Sequence, residues 1–317
     1  GLIDMALVER VEYVPGTGSV TYGNNALLGI INVVTRNGRD FNGTQFSTEL
    51  SSHGGKKGRA TLGKHFDNGT DLLLSASVLD VKGQNLYFPA YDTPANNNGI
   101  ADGLDGESNK RVFGKLSSGG WLLEGGFVDR KKDVPTNPSS FTEFNTPFTS
   151  QDTNAFVNLR YESDIGLKLH SASRVYLGYY AYDSFRQYAD YSTDNLKFGR
   201  RQYEGRWWGL EQKFVANWFT DHAIVFGAEF RNDYTQNFYR SYFSPGNEKL
   251  SDDTQNFSRT TSSFYLTDEY RVSEQWSLNV GARYDKASDL RGNVSPRVAL
   301  IYRPSLTTTL KASYSEA

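Results

Sequence analysis

Any chemistry in this chain must come from a short set of side chains. Its four histidines, His53, His65, His170 and His222, stand far apart, at no spacing that would gather them around a metal ion. With no cysteine, thiolate metal sites, disulfide staples and cysteine nucleophiles are excluded. No serine, histidine and acid set assembles, so the residues point to binding rather than to bond-making. Gly18 to Gly23 has the outer spacing of a phosphate-binding loop. Asn24 and Asn25, however, stand where lysine and a hydroxyl residue would hold phosphate and magnesium.

Three polar stretches carry the side chains suited to ligand contact. The stretch from Gln84 to Asn109 opens with the aromatic Tyr87, Phe88 and Tyr91. It then offers oxygen ligands, Asp102, Asp105 and Glu107 above all, among Gly99, Gly103 and Gly106, a composition that can bind calcium, although the departure from the regular calcium-loop spacing favours an ordinary solvated loop over a metal site. The stretches 184–202 and 239–258 carry Tyr188, Tyr191, Arg200 and Arg201, then Tyr239, Arg240 and Tyr242. Tyrosine and arginine together suit an anionic, partly aromatic ligand, through stacking and charge-assisted hydrogen bonds.

The elements that position these stretches are strands. From Gly43 onward, segments of about ten residues alternate in polarity, the period of barrel staves. Trp276, Leu278, Val280, Ala282 and Tyr284 share one face, and Ser277, Asn279, Gly281, Arg283 and Asp285 the other. Ile224, Phe226, Ala228 and Phe230 oppose Gly227, Glu229 and Arg231. Ala155, Val157, Leu159 and Tyr161 likewise oppose Asn158, Arg160 and Glu162. Short turns near 67–70, 117–120, 163–166, 273–275 and 303–305 alternate with long polar segments near 82–109, 131–152, 184–202, 239–258 and 287–293. Barrels arrange periplasmic turns and extracellular loops in this way. The count is about thirteen strands between Gly43 and Ala317.

Composition agrees with that class. The 20 Tyr, 20 Phe and 5 Trp accompany 30 Gly, and no apolar run approaches the length of a spanning helix. Membrane strands need apolar side chains on one face only, so a low mean hydropathy does not exclude them. Net charge is −2, from 34 basic and 36 acidic residues, which leaves no footprint for nucleic acid. Trp207, Trp208 and Trp218 read as bilayer-interface anchors.

Ahead of the strands lies VERVEYVPGTGSVTYGNNALLGIINVVTR, residues 8–36, two β-branched runs joined through glycines. Its Glu9, Arg10, Val11 and Glu12, then Gly16, Gly18 and Ser19, Tyr22-Gly23, and Gly29 to Thr35 with Asn32, resemble the end of the plug domain of TonB-dependent outer-membrane receptors. Pro15 and Thr17 depart from the family wording, which has arginine and proline there. Phe264 to Asp285 and Ser295 to Ala317 resemble mid-barrel strand pairs of the same family.

The resemblance implies an all-β, transmembrane antiparallel β-barrel, present as about 13 of 22 strands, with the C-terminal part of a plug: residues 1–38 plug, 39–317 barrel. It implies no enzyme activity and no resident cofactor. The function it implies is active uptake of a scarce solute across the bacterial outer membrane, most simply a ferric siderophore, with cobalamin, haem or another chelate as alternatives. Its partners would be the inner-membrane TonB complex, contacted upstream of Gly1, outer-membrane lipid and the chelate. The chain reads as an internal piece of a longer protein. A passive porin explains the strands but not the glycine-rich segment before them. A soluble all-β carbohydrate-binding or adhesive protein is the third reading.

Overall fold

The computed structural model describes residues 2–15, 20, 29–135, 144, 148–190, 195–244 and 246–316. Two strands, β1 (Val8–Pro15) and β2 (Gly29–Thr35), pair antiparallel as a separate ribbon. The main sheet follows: β3 (Gly43–Ser51), β4 (Gly55–His65) and β5 (Asp71–Val81), then, after a small ladder of β6 (Leu86–Tyr87) and β7 (Ile100–Ala101), β8 (Glu107–Ser118), β9 (Trp121–Asp133) and β10 (Phe148–Ile165). It continues with β11 (Leu169–Asp190), β12 (Asn195–Ala216), β13 (His222–Phe243), β14 (Lys249–Arg271), β15 (Trp276–Ala287), β16 (Asn293–Ser305) and β17 (Thr308–Ser315). Each strand bonds to its sequence neighbour in one 13-stranded antiparallel sheet with β3 and β17 at its edges. The strand number read from the sequence is the number found.

The two faces differ as the alternation requires. One exposes a continuous apolar band that includes Phe46, Leu74, Val112, Val157, Leu177 and Leu266. So large an exposed apolar surface is stable in lipid, not in water. Rings border it at the end with short connections, where Trp121 meets Tyr161 at 4.4 Å and Trp276 stacks on Tyr302 at 4.2 Å. The other face buries polar side chains, among them Thr61, Asn158, Ser263, Arg283 and Asp285.

That polar face is the inside of a curve. The Tyr176 hydroxyl donates to Glu229 at 2.8 Å, that of Tyr265 to Glu211 at 3.3 Å, and Arg283 to Glu229 at 3.0 Å, each bond skipping one strand. Strands two apart lie about 9.5 Å from one another, a gap that side chains bridge where they converge on a concave wall. The tyrosines lie flat to do so, over Gly209 and Gly227. A Cβ at Gly209 would stand 2.2 Å from the Tyr176 ring, and one at Gly227 2.5 Å from the Tyr265 hydroxyl.

Strands β11 to β14 run 22, 22, 22 and 23 residues, about twice the length that crosses a bilayer. Here the structure corrects the sequence expectation of long loops at 184–202 and 239–258. The ladder continues through most of both stretches, to Asp190 and from Asn195, and to Phe243 and from Lys249. Beyond the membrane both faces meet water, so no apolar face is needed, and the paired strands carry loop-like composition. A single bulge interrupts β13. Arg206 pairs with Thr235 but Trp207 with Asp233, leaving Tyr234 as an extra residue. Above it, the side chains of β13 exchange faces.

Candidate functional site

The base of the β1–β2 ribbon is seated on the concave face. Leu7, just before β1, packs against Leu73 and Phe113, with Ile3, Phe41 and Phe156 around them. Burying Leu7 contributes about 1.5–3 kcal/mol. Asp4 meets the Lys57 ammonium at 2.9 Å, and Lys115 Nζ donates to the Thr35 carbonyl and hydroxyl, both at 3.3 Å. Arg10 bonds Glu9 at 2.8 Å and Glu12 at 2.7 Å along β1, and Asn32 donates to Glu12 at 2.8 Å, which ties the two strands together. Gly29, at φ +155°, ends the ribbon where a Cβ would strike Tyr13 at 2.8 Å. Gly16, Gly18, Ser19, Tyr22 and Gly23 lie outside the described residues.

Higher on the wall, the lengthened strands sort the tyrosines and arginines by face. Cross-strand pairing sets three concave-facing rows: Tyr182, Tyr203 and Phe238; Ser184, Arg201 and Arg240; Arg186, Gly199 and Tyr242. Phe238 stacks on Tyr203 at 5.0 Å and carries the Arg240 guanidinium 5.0 Å above its ring. Arg201 and Arg240 stand directly opposite each other, a destabilising like-charge pair. Among the described residues, no ion pair reaches Arg186, Arg201 or Arg240, although Asp253 is the cross-strand neighbour of Arg240. Arg240 Nε is buried without a hydrogen-bond partner. Burial, and then the charge of Arg201, lower the Arg186 pKa. The arrangement is an aromatic-lined cationic surface with an unspent donor at Arg240 Nε.

Of the residues singled out in the sequence, Arg201, Arg240 and Tyr242 come together here. Arg200 and Tyr239 do not, because they occupy the opposite face. There Arg200 pairs with Asp183 at 2.5 Å and Tyr239 accepts from Asn237 at 2.8 Å. Tyr188 is on β11, its side chain outside the described residues, and Tyr191 lies outside them altogether. Arg186, Tyr182 and Tyr203 escaped notice. Counting the period of two upward from Tyr176 would have found the first two.

In the connection between β5 and β8, Tyr87 donates to Asp92 at 2.8 Å, while Phe144 stacks on Tyr91 at 4.5 Å and meets Phe88 edge-on at 5.9 Å. These rings pack loop against loop. Two of the acids in this stretch have basic partners. Glu107 is held by Arg130 at 2.8 and 2.9 Å, Asp105 by Lys132 at 2.6 Å, and no cluster of acids that could hold a metal exists among the described residues. Basic side chains of the wall neutralise the carboxylates that would have been ligands. Trp207 is likewise corrected: its ring lies over Gly178 on the concave face, under Arg231 at 5.1 Å, while Trp208 faces outward beside Phe230 at 5.4 Å.

A curved antiparallel wall, apolar outside and polar inside, with a chain segment seated in its hollow, defines an outer-membrane barrel of the plugged kind. Residues 83–317 match the family described as TonB dependent receptor-like, beta-barrel, and the chain belongs to it. It is similar in structure to the ferric-catecholate import receptor Fiu of E. coli K12 in its open form, with a TM-score of 0.69 at 13% identity over 97% of this chain and 59% of that one. The FrpB iron transporter of Neisseria meningitidis (F5-1 variant) gives a TM-score of 0.70 at 17% identity over 99% of this chain and 53% of that one. A vitamin B12 transporter, BtuB of Vibrio vulnificus (strain CMCP6), is 30% identical over 87 residues, 27% of this chain and 14% of its own length. The chain thus spans little more than half the length of the solved receptors it matches.

Proposed function

We propose that residues 1–38 are the end of a plug and residues 39–317 the first part of the barrel of a TonB-dependent outer-membrane receptor that imports a scarce chelate, a ferric siderophore above the alternatives. The observation that carries this reading is the β1–β2 ribbon, fixed to the concave wall through Leu7, Lys57 and Lys115. A wide barrel needs an occluding domain to keep the membrane tight, and a domain joined directly to the first strand supplies it. The inner-membrane TonB complex then supplies the force that rearranges the plug. No bond in the cargo is made or broken.

The arginine and aromatic rows on β11 to β13 favour an anionic, ring-bearing chelate over neutral cobalamin or a sugar. Guanidinium groups that no carboxylate pairs among the described residues are available for charge-assisted bonds, and rings beside them stack on planar ligands. The full-length receptor, in its own outer membrane, tests this by uptake of labelled ferric chelates with and without the proton-motive force. Saturable, energy-dependent uptake of an anionic ferric chelate is expected. Energy-independent, non-saturable entry would make the protein a pore, and uptake of cobalamin alone would overturn the ligand.

A further inference from the structure

Residues 35–41 are attached to the wall in a different manner from the ribbon that precedes them. The backbone N–H groups of Gly38 and Arg39 donate to the two carboxylate oxygens of the buried Asp71, the second at 3.2 Å, and Arg39 Nε adds a bond at 3.1 Å. His65 Nδ1 holds the same carboxylate at 3.2 Å, and Asp40 closes the turn on the Asn37 N–H at 2.7 Å. Gly38 is pressed against β5 so closely that a Cβ would stand 2.0 Å from the Leu72 carbonyl oxygen. From the other side, a Cβ at Gly63 of β4 would meet the Gly38 oxygen at 2.4 Å. With Lys115 of β8 on Thr35, three wall strands grip this one short segment.

The wall contacts of the ribbon described above, at Asp4, Leu7 and Thr35, lie at its open end. Its ladder begins at the pair Val8 and Thr35 and ends at Pro15 and Gly29, so its open end lies beside the fixed segment. Tension entering from the N-terminal side first frees Asp4 and Leu7 from the wall and then, with Thr35 held, loads that ladder one pair at a time. The bonds of residues 35–41 share their load together, and a bond set loaded together resists more force than one opened in sequence.

We propose that residues 35–41 form a mechanical stop: tension on the N-terminal side opens the β1–β2 ribbon as far as Thr35 and halts there, held by Asp71. The stop rests on the reading that this family's plug is pulled during transport. It bounds the opening and leaves Thr35 anchored, the point from which the ribbon closes again.

The test is single-molecule pulling on the full-length receptor in outer membrane, through a handle on the N-terminal side of the ribbon. Residues 8–34 extend by about 90 Å at ~3.3–3.6 Å each, and residues 35–41 by about 25 Å more. The wild-type trace is expected to pause after the longer extension and to release the shorter one only at higher force. Asp71→Ala is expected to abolish the pause and Asp71→Asn, which keeps the side chain's size, to lower its force. A wild-type trace that runs past Thr35 without a pause, or a pause unchanged in both variants, overturns the stop. Energy-independent uptake would instead sink the transport reading while leaving the trace as it is, so the two failures are told apart.

Discussion

At the scale of single residues, unpaired charge separates binding from scaffolding. Arg283 has its acids within reach, at 2.9 Å to Asp285 and 3.0 Å to Glu229, and so belongs to the wall. Arg201 and Arg240 face each other, an arrangement that costs stability and that an anionic ligand, on the proposed reading, relieves. Arg201→Gln or Arg240→Gln should weaken binding of an anionic ferric chelate by about 10- to 100-fold, the worth of one charge-assisted hydrogen bond of ~1.5–3 kcal/mol. Equilibrium titration at low and high salt checks this, the loss being larger at low salt. Asp4 gives a pH dependence of known sign. Burial pushes its pKa up, but the Ala6 N–H and the Lys57 ammonium outweigh that and hold it below the usual carboxylate value. A depressed native pKa contributes stability that is complete above the unfolded value of about 3.9 and is lost as pH falls through the native one. Protection of the Ala6 and Leu7 amides, with the intrinsic pH dependence of exchange divided out, is expected to fall on acidification below about pH 4, and to lose that acid step in Asp4→Asn.

At the scale of elements, the wall depends on flat tyrosines over glycines. Gly209→Ala should displace Tyr176 from Glu229 and cost about 1–3 kcal/mol through overpacking, seen as a lower temperature of heat modification on gels. Wild-type behaviour in that variant would show that the ring has another resting place. Strand number and polarity were legible from the sequence because lipid enforces the period of two: Trp276 to Tyr284 and Ile224 to Phe230 lie on the apolar side, as the alternation requires. Where lipid ends, the rule ends with it, and the upper halves of β11 to β14 read as loops. Face assignment failed there for the same reason, which separated Arg200 from Arg201 and Tyr239 from Arg240 only once the register was known. The acids Asp105 and Glu107 misled because their partners, Lys132 and Arg130, lie a strand away.

For the whole molecule, the contact between ribbon and wall is small and therefore decisive. Leu7→Ala in the full-length receptor should cost about 2.7–5 kcal/mol at that contact and leave the barrel itself intact. Raised sensitivity of cells to bulky antibiotics, with unchanged heat modification of the barrel, is the expected pair of results. Unchanged sensitivity would mean that the seal lies elsewhere.

The odd residue at Tyr234 has one further consequence. Below it β13 keeps the parity that lipid imposes; above it that parity is inverted, which is why Arg240 and Tyr242 look into the hollow. Removing a single codon between the bulge and Tyr239, with the bulge kept, would turn Tyr239 inward and both of those residues outward, without altering a side chain in the bilayer. The vestibule could so exchange its chemistry by frame alone, and lineages that change cargo have a route that bypasses point substitution.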